Sequence, residues 1–111
     1  MIRYLENDFK KELGTNKVLV DFYADWCGPC RMMASVLETI KDLDVLKVDV
    51  DKFQDLAQEY GVMSIPNLTL FENGKPIKNH IGFMNEDELK EFIRWYSSFF
   101  IWNIDFFYVI W

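Results

Sequence analysis

The chain has 111 residues, a length that indicates one domain with a single core. Hydrophobic residues make up 50% of it and charged residues 27%, a composition that indicates a globular protein and excludes a disordered one. The net charge is −6 and no lysine- or arginine-rich run is present, which argues against nucleic acid as a partner and against an electrostatic hold on anionic lipid.

The two ends of the chain differ in composition. Residues 1–8 already contain acidic side chains and lack the basic start and apolar run of a secretory signal. We therefore expect a cytoplasmic protein in a reducing compartment. Aromatic residues account for 17% of the chain, and residues 95–111 hold nine of the nineteen. We therefore expect an ordinary domain over residues 1–98 and an aromatic-rich C-terminal extension over residues 99–111.

The first half of the chain alternates between strand and helix patterns. Residues 1–5 predict a short edge strand, and Asn7 is expected to cap a helix that Gly14 ends. Residues 18–23 are β-branched or aromatic with one polar interruption, the pattern of a strand that is buried on both faces. Residues 28–42 carry apolar side chains at helical spacing and predict the second helix.

The second half continues the alternation and then changes to a hairpin. Residues 45–50 alternate between apolar and polar side chains, which predicts a strand, and residues 52–60 predict a short helix. Two strands follow, over residues 68–71 and 77–81, and the Asn-Gly pair between them is a strong hairpin signal. A last helix is expected over residues 86–96.

This order of elements, β-α-β-α-β-α-β-β-α, predicts the architecture. The first strands are linked by helices and are expected to be parallel with right-handed crossovers, whereas the last two form an antiparallel hairpin. The sequence therefore predicts a mixed central sheet with helices on both faces, an α/β fold.

Two cysteines, Cys27 and Cys30, are separated by two residues and lie between a predicted strand and a predicted helix. One interpretation is half of a zinc site, but structural zinc needs four ligands, and the remaining candidates are His80 and ordinary carboxylates. The other interpretation is a dithiol that cycles through a small-loop disulfide. The sequence favours the dithiol, with no metal and no cofactor, because the electrons reside on the two sulfurs.

The residues around the cysteines fit this redox chemistry. Gly28 is expected to allow a tight turn that leaves the sulfur of Cys27 uncovered, and Pro29 costs nothing in the first turn of a helix. Cys27, at the helix N-terminus, should have a lowered thiol pKa because the helix dipole and N–H groups stabilise its thiolate. We expect Cys27 to attack a substrate disulfide and Cys30, one turn deeper, to resolve the mixed disulfide.

The resolving step requires a base for the Cys30 thiol, and Asp21 is the candidate proton acceptor. Asp21 interrupts an otherwise apolar strand, and a buried carboxyl group has a raised pKa that suits proton transfer near neutrality. The alternative is a core aspartate with no catalytic part. Lys47, in the middle of the next predicted strand, is expected to lie beside Asp21 and tune it, or else to be a solvated lysine.

Five stretches of the chain together form a specific pattern. They are residues 20–30, with the motif Trp26-Cys27-Gly28-Pro29-Cys30, then 47–51, 60–66 and 70–74, and finally Gly82. This pattern resembles the thioredoxin family over about residues 1–97. The resemblance implies a thioredoxin fold, a central mixed five-stranded sheet flanked by four helices, so that residues 1–98 would be a thioredoxin domain.

The resemblance also implies roles around the dithiol. Pro66 would follow a cis peptide bond and pack against the disulfide, and Ile65 would offer its backbone to an extended substrate strand. A flat, mostly apolar surface beside Cys27 would bind substrate through Trp26, Ile65, Pro66, Gly82 and Phe83. A core position is the alternative for Trp26.

The implied activity is protein-disulfide reduction by a thiol–disulfide oxidoreductase that maintains cell redox homeostasis. In this family Gly28-Pro29 between the cysteines goes with reductants. The implied partners are a thioredoxin reductase, which recycles the electron carrier, and disulfide-containing protein substrates, and the chain is expected to be a monomer. The alternative class is a binding module, in which the scaffold serves as a subunit or anchored adaptor through its C-terminal extension.

The C-terminal extension has three interpretations. As a spanning helix, residues 95–111 would reach about 25 Å, short of the roughly 30 Å hydrocarbon core, and Asp105 would cost about 2.5–3.5 kcal/mol at its middle. Packing onto the domain or onto a partner is favoured, because alternate residues form one wholly apolar face. The third interpretation is an end without function that promotes aggregation.

Overall fold

A five-stranded sheet organises the chain in the computed structural model, which describes residues 1–94. The strands are β1 (Ile2–Tyr4), β2 (Val18–Tyr23), β3 (Asp44–Asp49), β4 (Asn67–Glu72) and β5 (Lys75–Ile81). The helices are α1 (Phe9–Leu13), α2 (Gly28–Leu37), α3 (Gln54–Glu59) and α4 (Glu86–Arg94). Their order along the chain is the one that the sequence predicts.

The strands lie in the order β1-β3-β2-β4-β5 within the sheet. Strands β1, β3 and β2 are parallel, whereas β4 is antiparallel to β2 and β5 is antiparallel to β4. The sheet is therefore mixed, as predicted. One consequence for the site is that the carboxyl ends of β2, β3 and β5 meet the amino end of β4 at the same edge.

The two faces of the sheet bury different side chains, because successive residues of a strand point to opposite sides. On one face α2 and α4 cover a cluster that includes Leu19, Met33, Leu37, Val45, Leu68, Leu70, Leu89 and Phe92. On the other face α1 and α3 cover a cluster that includes Phe9, Leu13, Val18, Val20, Phe22, Leu46, Val48 and Phe71. Asp21 shares the face of Leu19 and so lies on the side of the sheet that α2 covers.

Helix α3 spans Gln54–Glu59 and not the predicted residues 52–60, and two further helix ends also differ from the sequence prediction. Asp8, and not Asn7, caps α1: the Asp8 side chain accepts a hydrogen bond from the Lys11 N–H at 3.3 Å. The Asn7 N–H instead donates to the Glu12 carboxylate at 2.8 Å, which fixes Asn7 before the helix begins. Both residue types cap well, so their chemistry alone does not decide between neighbours.

The second difference is the end of α2, which lies at Leu37 and not at residue 42. The Thr39 hydroxyl donates to the Val36 carbonyl at 2.7 Å, and the N–H groups of Thr39 and Ile40 bond to carbonyls three residues back. These bonds compete with the α-helical pattern and tighten the chain into a turn. Ile40 still packs against the core, which explains why the apolar spacing continues beyond the helix.

The hairpin and the last helix follow their sequence signals. Asn73 and Gly74 both have positive φ, at 54° and 76°, as the turn between two twisted strands requires. Asn85 and Glu88 form a reciprocal cap on α4, because each side chain accepts the backbone N–H of the other.

The C-terminal extension, residues 99–111, and the last residues of the predicted final helix lie outside the described residues. Within residues 1–94, no helix is long and apolar enough to cross a membrane.

Candidate active site

The carboxyl end of β2 leads into α2, and the two cysteines lie at this junction. Cys27 is the N-cap residue of α2, with an extended backbone, and its Sγ accepts a hydrogen bond from the Cys30 N–H at 3.2 Å. Pro29 lies in the first turn, where it removes no helical hydrogen bond. The junction thus directs the positive end of the helix at the Cys27 sulfur.

Gly28 does not have the role that the sequence suggests. Its backbone is not in the positive-φ region, and a Cβ at this position would make only ordinary van der Waals contact with the Arg31 side chain, at 3.9 Å. The chain enters α2 with ordinary backbone geometry, so the turn at this junction does not depend on the conformational freedom of a glycine. Arg31 also donates to the Asp25 carbonyl at 2.9 Å, which ties the first turn of α2 to the preceding loop.

Cys27 and Cys30 are joined by a disulfide, with their Cα atoms 5.2 Å apart. Cys27 is 5% exposed and Cys30 is 2% exposed, so the order of exposure agrees with the prediction. The expectation of an uncovered Cys27 sulfur is wrong for this disulfide form, however, because Ala24, Val50 and Ile65 pack around the pair.

The loop before β4 meets the disulfide. The Ile65–Pro66 peptide bond is cis, as the resemblance implies, and the Ile65 carbonyl oxygen lies 3.9 Å from Cys27 Sγ. The disulfide sulfur carries no proton, so this is a contact and not a hydrogen bond. The Gly82 N–H donates to the Pro66 carbonyl at 2.8 Å, and Gly82 has a φ of 102°, which favours glycine. Pro66 and Gly82 are thereby held together at the site.

Exposed apolar side chains flank these loops. Trp26 is 68% exposed, Met63 is 93% exposed and Phe83 is 38% exposed, although such side chains are normally buried. Exposed apolar patches of this kind mark interaction sites. We use the name docking surface for Trp26, Met63, Ile65, Pro66, Gly82 and Phe83. Ile65 and Gly82 are half-buried in it and Pro66 is buried, unlike the exposed position that the resemblance implies for Pro66, and Met63 was not predicted from the sequence.

Trp26 is oriented by a residue that sequence reasoning missed. Its Nε1 donates a hydrogen bond to Asp51 Oδ2 at 2.9 Å. Asp51 is itself fixed, because its N–H donates to Asp49 Oδ1 at 2.9 Å. The two partners are far apart in sequence, and the one available signal is that each follows the carboxyl end of a parallel strand.

A buried ion pair lies on the face of the sheet that α2 covers. Asp21 and Lys47 are in register on β2 and β3, with Lys47 Nζ 3.6 Å from Asp21 Oδ2. The Asp21 side chain is fully buried and that of Lys47 is 6% exposed. Lys47 is therefore placed beside Asp21 as predicted, and the solvated position that the sequence left open is not the one observed.

The environment of Asp21 moves the pKa of its carboxyl group towards neutrality. Burial raises the pKa of Asp21 to about 6, because desolvation penalises the charged form, and the Lys47 ammonium opposes part of that rise. Neither Asp21 oxygen accepts a hydrogen bond from the residues that the structure describes. The group is thus arranged to gain and lose a proton near neutral pH.

The single histidine lies away from this arrangement in sequence and packs against a helix. The His80 ring contacts Phe92 edge-on, with ring centroids 6.1 Å apart. Among residues 1–94, no group of three or more His, Cys, Asp or Glu side chains is placed to hold a metal ion.

Comparisons with known proteins agree with the fold and with the chemistry of the site. The family model described as Thioredoxin matches residues 1–95. The chain is 44% identical over 87 residues to the thioredoxin of Mycoplasmoides gallisepticum, covering 74% of this chain and 87% of that protein. It is 38% identical over 99 residues to the thioredoxin of Bacillus subtilis, covering 85% of this chain and 95% of that protein.

A solved structure shows the same likeness. A mutant thioredoxin from Halobacterium salinarum matches with a TM-score of 0.79 at 40% identity, covering 87% of this chain and 91% of that chain. The predicted five-stranded α/β fold is therefore confirmed. The chain belongs to the thioredoxin family, and its Cys27–Cys30 pair makes it a thiol–disulfide oxidoreductase.

Proposed function

We propose that this chain reduces disulfide bonds in other proteins, with Cys27 as the nucleophile and Cys30 as the resolving thiol. The observation that carries the assignment is the position of Cys27, whose sulfur caps α2 and adjoins the docking surface. Cys30 lies within the first turn of the helix and is the more buried of the two. An incoming disulfide therefore meets the Cys27 sulfur first.

In the first step the Cys27 thiolate attacks one sulfur of the substrate disulfide. A bond forms between Cys27 Sγ and that sulfur, and the second substrate sulfur leaves as a thiolate that takes a proton from solvent. The helix N-terminus, which includes the Cys30 N–H, stabilises the thiolate before the attack.

In the second step the Cys30 thiol gives its proton to the Asp21 carboxylate and attacks Cys27 Sγ. The Cys27–Cys30 disulfide forms, the bond to the substrate breaks, and the remaining substrate sulfur leaves as a thiolate. The substrate has gained two electrons and the chain has lost two. Asp21 suits this role because its raised pKa matches proton exchange near neutrality, and Lys47 limits how far the pKa rises.

The docking surface is proposed to hold the substrate chain during both steps. Trp26 and Phe83 would contact apolar side chains next to the substrate disulfide, and the backbone of Ile65 would pair with an extended substrate segment. Pro66 has no N–H, so it leaves the backbone groups of its neighbours as the pairing groups at this end of β4.

The proposal includes partners and compartment. A thioredoxin reductase would return two electrons to the Cys27–Cys30 disulfide, and disulfide-containing proteins would be the substrates, as family membership implies in general. We propose that the chain acts as a monomer in the cytoplasm and helps to maintain redox homeostasis there.

The domain boundary is part of the same proposal. We infer that residues 1–98 form the catalytic thioredoxin domain and that the extension 99–111 is not needed for the chemistry. Every side chain assigned above lies within residues 21–83, and the family model ends at residue 95. A chain that ends at Ser98 should therefore reduce insulin at the rate of the full chain, and a large loss of rate would contradict the boundary.

An insulin-reduction assay tests the assignment of the nucleophile. The wild-type chain should reduce insulin disulfides with dithiothreitol or a thioredoxin reductase as electron source, and Cys27→Ser should have no activity above the uncatalysed rate. Persistent activity in Cys27→Ser would overturn the assignment. A wild-type chain without activity would instead favour a binding module built on the same scaffold.

A further inference from the structure

We propose that Tyr23, with Tyr4 beside it, is a positioning residue that holds the Lys47 ammonium against the Asp21 carboxylate. The inference rests on the proposed role of Asp21 as the proton acceptor of Cys30. It adds two aromatic side chains to the part of the site that serves the attack of Cys30 on the mixed disulfide. Neither side chain was predicted from the sequence to have a role.

The register of the sheet brings these groups together. Tyr4 pairs with Lys47 across β1 and β3, and Asp21 pairs with Lys47 across β3 and β2. Tyr23 lies two residues after Asp21, so it projects from the same face of β2. Tyr4, Lys47 and Asp21 thus form one row across three strands, and Tyr23 lies next to the row.

The distances show how the rings meet the ammonium group. Lys47 Nζ lies 4.4 Å from the centre of the Tyr23 ring and 5.7 Å from the centre of the Tyr4 ring. Both distances fall within the range of cation–π attraction, which extends to about 6 Å. The two rings meet edge to face, with centroids 6.2 Å apart and planes 74° apart, so each helps to fix the other.

Lys47 depends on such neighbours because its side chain is almost wholly withdrawn from water. A lysine side chain has a flexible four-carbon stem, so an ion pair at 3.6 Å does not by itself fix the position of Nζ. The ring faces narrow the positions that Nζ can occupy. Tyr23 also packs against the Cys27–Cys30 cluster, which connects the ammonium group to the dithiol through one side chain.

Side chains from β4, β3, β1 and the loop after β2 surround Asp21 and Tyr23. Strand β4 presents the apolar Leu68 opposite Asp21, and β3 presents Asp49 opposite Tyr23. Asp25, in the loop after β2, and Tyr4 on β1 also act on Tyr23. Burial, together with these acidic neighbours, raises the pKa of the Tyr23 phenol to about 12. The Tyr23 ring is therefore neutral at every pH at which Asp21 titrates.

Loss of the ring contacts should change the pKa of Asp21 in one direction. Lys47 lowers the pKa of Asp21 against the rise caused by burial. A Lys47 ammonium that is released from the rings spends less time at the carboxylate, so the pKa of Asp21 should rise. The Asp21 carboxyl group would then be protonated over more of the neutral range and would accept the Cys30 proton less often.

A carboxyl NMR titration of Asp21 in the full chain tests this proposal. Tyr23→Leu should raise the midpoint of Asp21 by about half to one pH unit, from the usual strength of a partly buried cation–π contact. Tyr23→Phe keeps the ring without the hydroxyl and should leave the midpoint at the wild-type value. In a Lys47→Met background, Tyr23→Leu should no longer move the midpoint, because the charge that the ring positions is absent.

The outcomes separate this proposal from a purely structural role of Tyr23. If Tyr23→Leu moves the midpoint equally in the wild-type and Lys47→Met backgrounds, the ring acts on Asp21 by burial alone and the proposal is overturned. It is also overturned if Tyr23→Phe behaves as Tyr23→Leu does.

Tyr4→Leu provides a second test, since Tyr4 is exposed and its loss disturbs the core less. It should raise the midpoint in the same direction by a smaller amount, and no change would count against the proposal. The catalytic role of Asp21 is tested separately by the activity of Asp21→Asn. A failed titration therefore leaves that assignment standing, and a failed activity test leaves the titration result interpretable.

Discussion

The two sides of the Cys27–Cys30 disulfide differ in the polarity and the burial of their side chains. On the outer side lies the docking surface, with large apolar side chains such as Trp26 and Met63 in contact with water. The inner side is the face of the sheet that α2 covers, where Asp21 and Lys47, two charged side chains withdrawn from water, form an ion pair. Each side reverses the usual relation between polarity and burial.

The difference shows how one dithiol carries out two unlike steps. The first step requires access for a protein substrate, which exposed apolar groups provide. The second requires a proton acceptor that works near neutral pH, and burial of Asp21 provides it by raising the carboxyl pKa to about 6. Side chains that break the burial rule are expected where function and not stability selects the residue.

The largest expected effect comes from Cys30→Ser, which removes the thiol that resolves the mixed disulfide. Cys30→Ser should still attack substrate through Cys27 but should not release it, so that turnover falls by at least about 10³-fold. Incubation with a disulfide substrate should give a stable mixed disulfide at Cys27, detectable by mass spectrometry. Cys27→Ser is the matched control and should form no such adduct. An adduct at Cys30 in that control would reverse the assigned roles.

The inner side is tested by Asp21→Asn. Loss of the proton acceptor should lower the rate of release of the mixed disulfide by about 10²-fold at neutral pH, the usual scale of general-base catalysis. In the wild type this rate should fall as the pH decreases through about 6, where Asp21 becomes protonated. Asp21→Asn should lack that fall. A wild-type rate with an unchanged pH profile would leave Asp21 as a structural residue.

Asp21→Asn should lower activity, but it should raise stability relative to the wild type as the pH rises. The folded-state pKa of Asp21 is raised above the ordinary aspartate value of 3.8, so its contribution to stability is greatest at low pH and is lost as pH rises through about 6. Between about pH 4 and pH 7 the free energy of unfolding of Asp21→Asn should therefore gain about 2 kcal/mol on the wild type. Urea unfolding at the two pH values measures this, and a constant difference would show that the pKa is not raised.

The outer side is tested by Trp26→Ala, with Met32→Ala as the matched control. Both side chains are exposed and apolar, but Met32 lies further along α2 and outside the docking surface. Trp26→Ala should raise the KM for a protein disulfide by about tenfold with little change in kcat, as expected for an aromatic anchor in an interface. Its effect on stability should stay within about 0.5 kcal/mol. An equal rise in KM in Met32→Ala would mean that no localised docking surface exists.

The sequence predicts the two sides of the site unequally. Asp21 is visible because a carboxylate interrupts an apolar strand, and Lys47 follows from its place on the next strand. The contact of Trp26 with Asp51 and that of Tyr23 with Lys47 depend on strand register and side-chain direction, which local patterns do not specify.

The fold shows the same limit. Apolar periodicity predicts every strand and helix of residues 1–94 in order, but not that β4 runs antiparallel to β2. It also extends α2 too far, because Ile40 remains in the core after hydrogen bonds at Thr39 have ended the helix. Periodicity reports which side chains face the core, whereas helix ends depend on individual hydrogen bonds.

The central claim is that Cys27 at the start of α2 is the thiol that reacts first. The most direct measurement is alkylation of the reduced chain with limiting iodoacetamide over a range of pH, followed by peptide mapping. The account predicts that Cys27 is labelled well before Cys30 and that its rate reaches a plateau below the pKa of a free cysteine, about 8.5. Prior labelling of Cys30, or a Cys27 rate that still rises through that pKa, would contradict it.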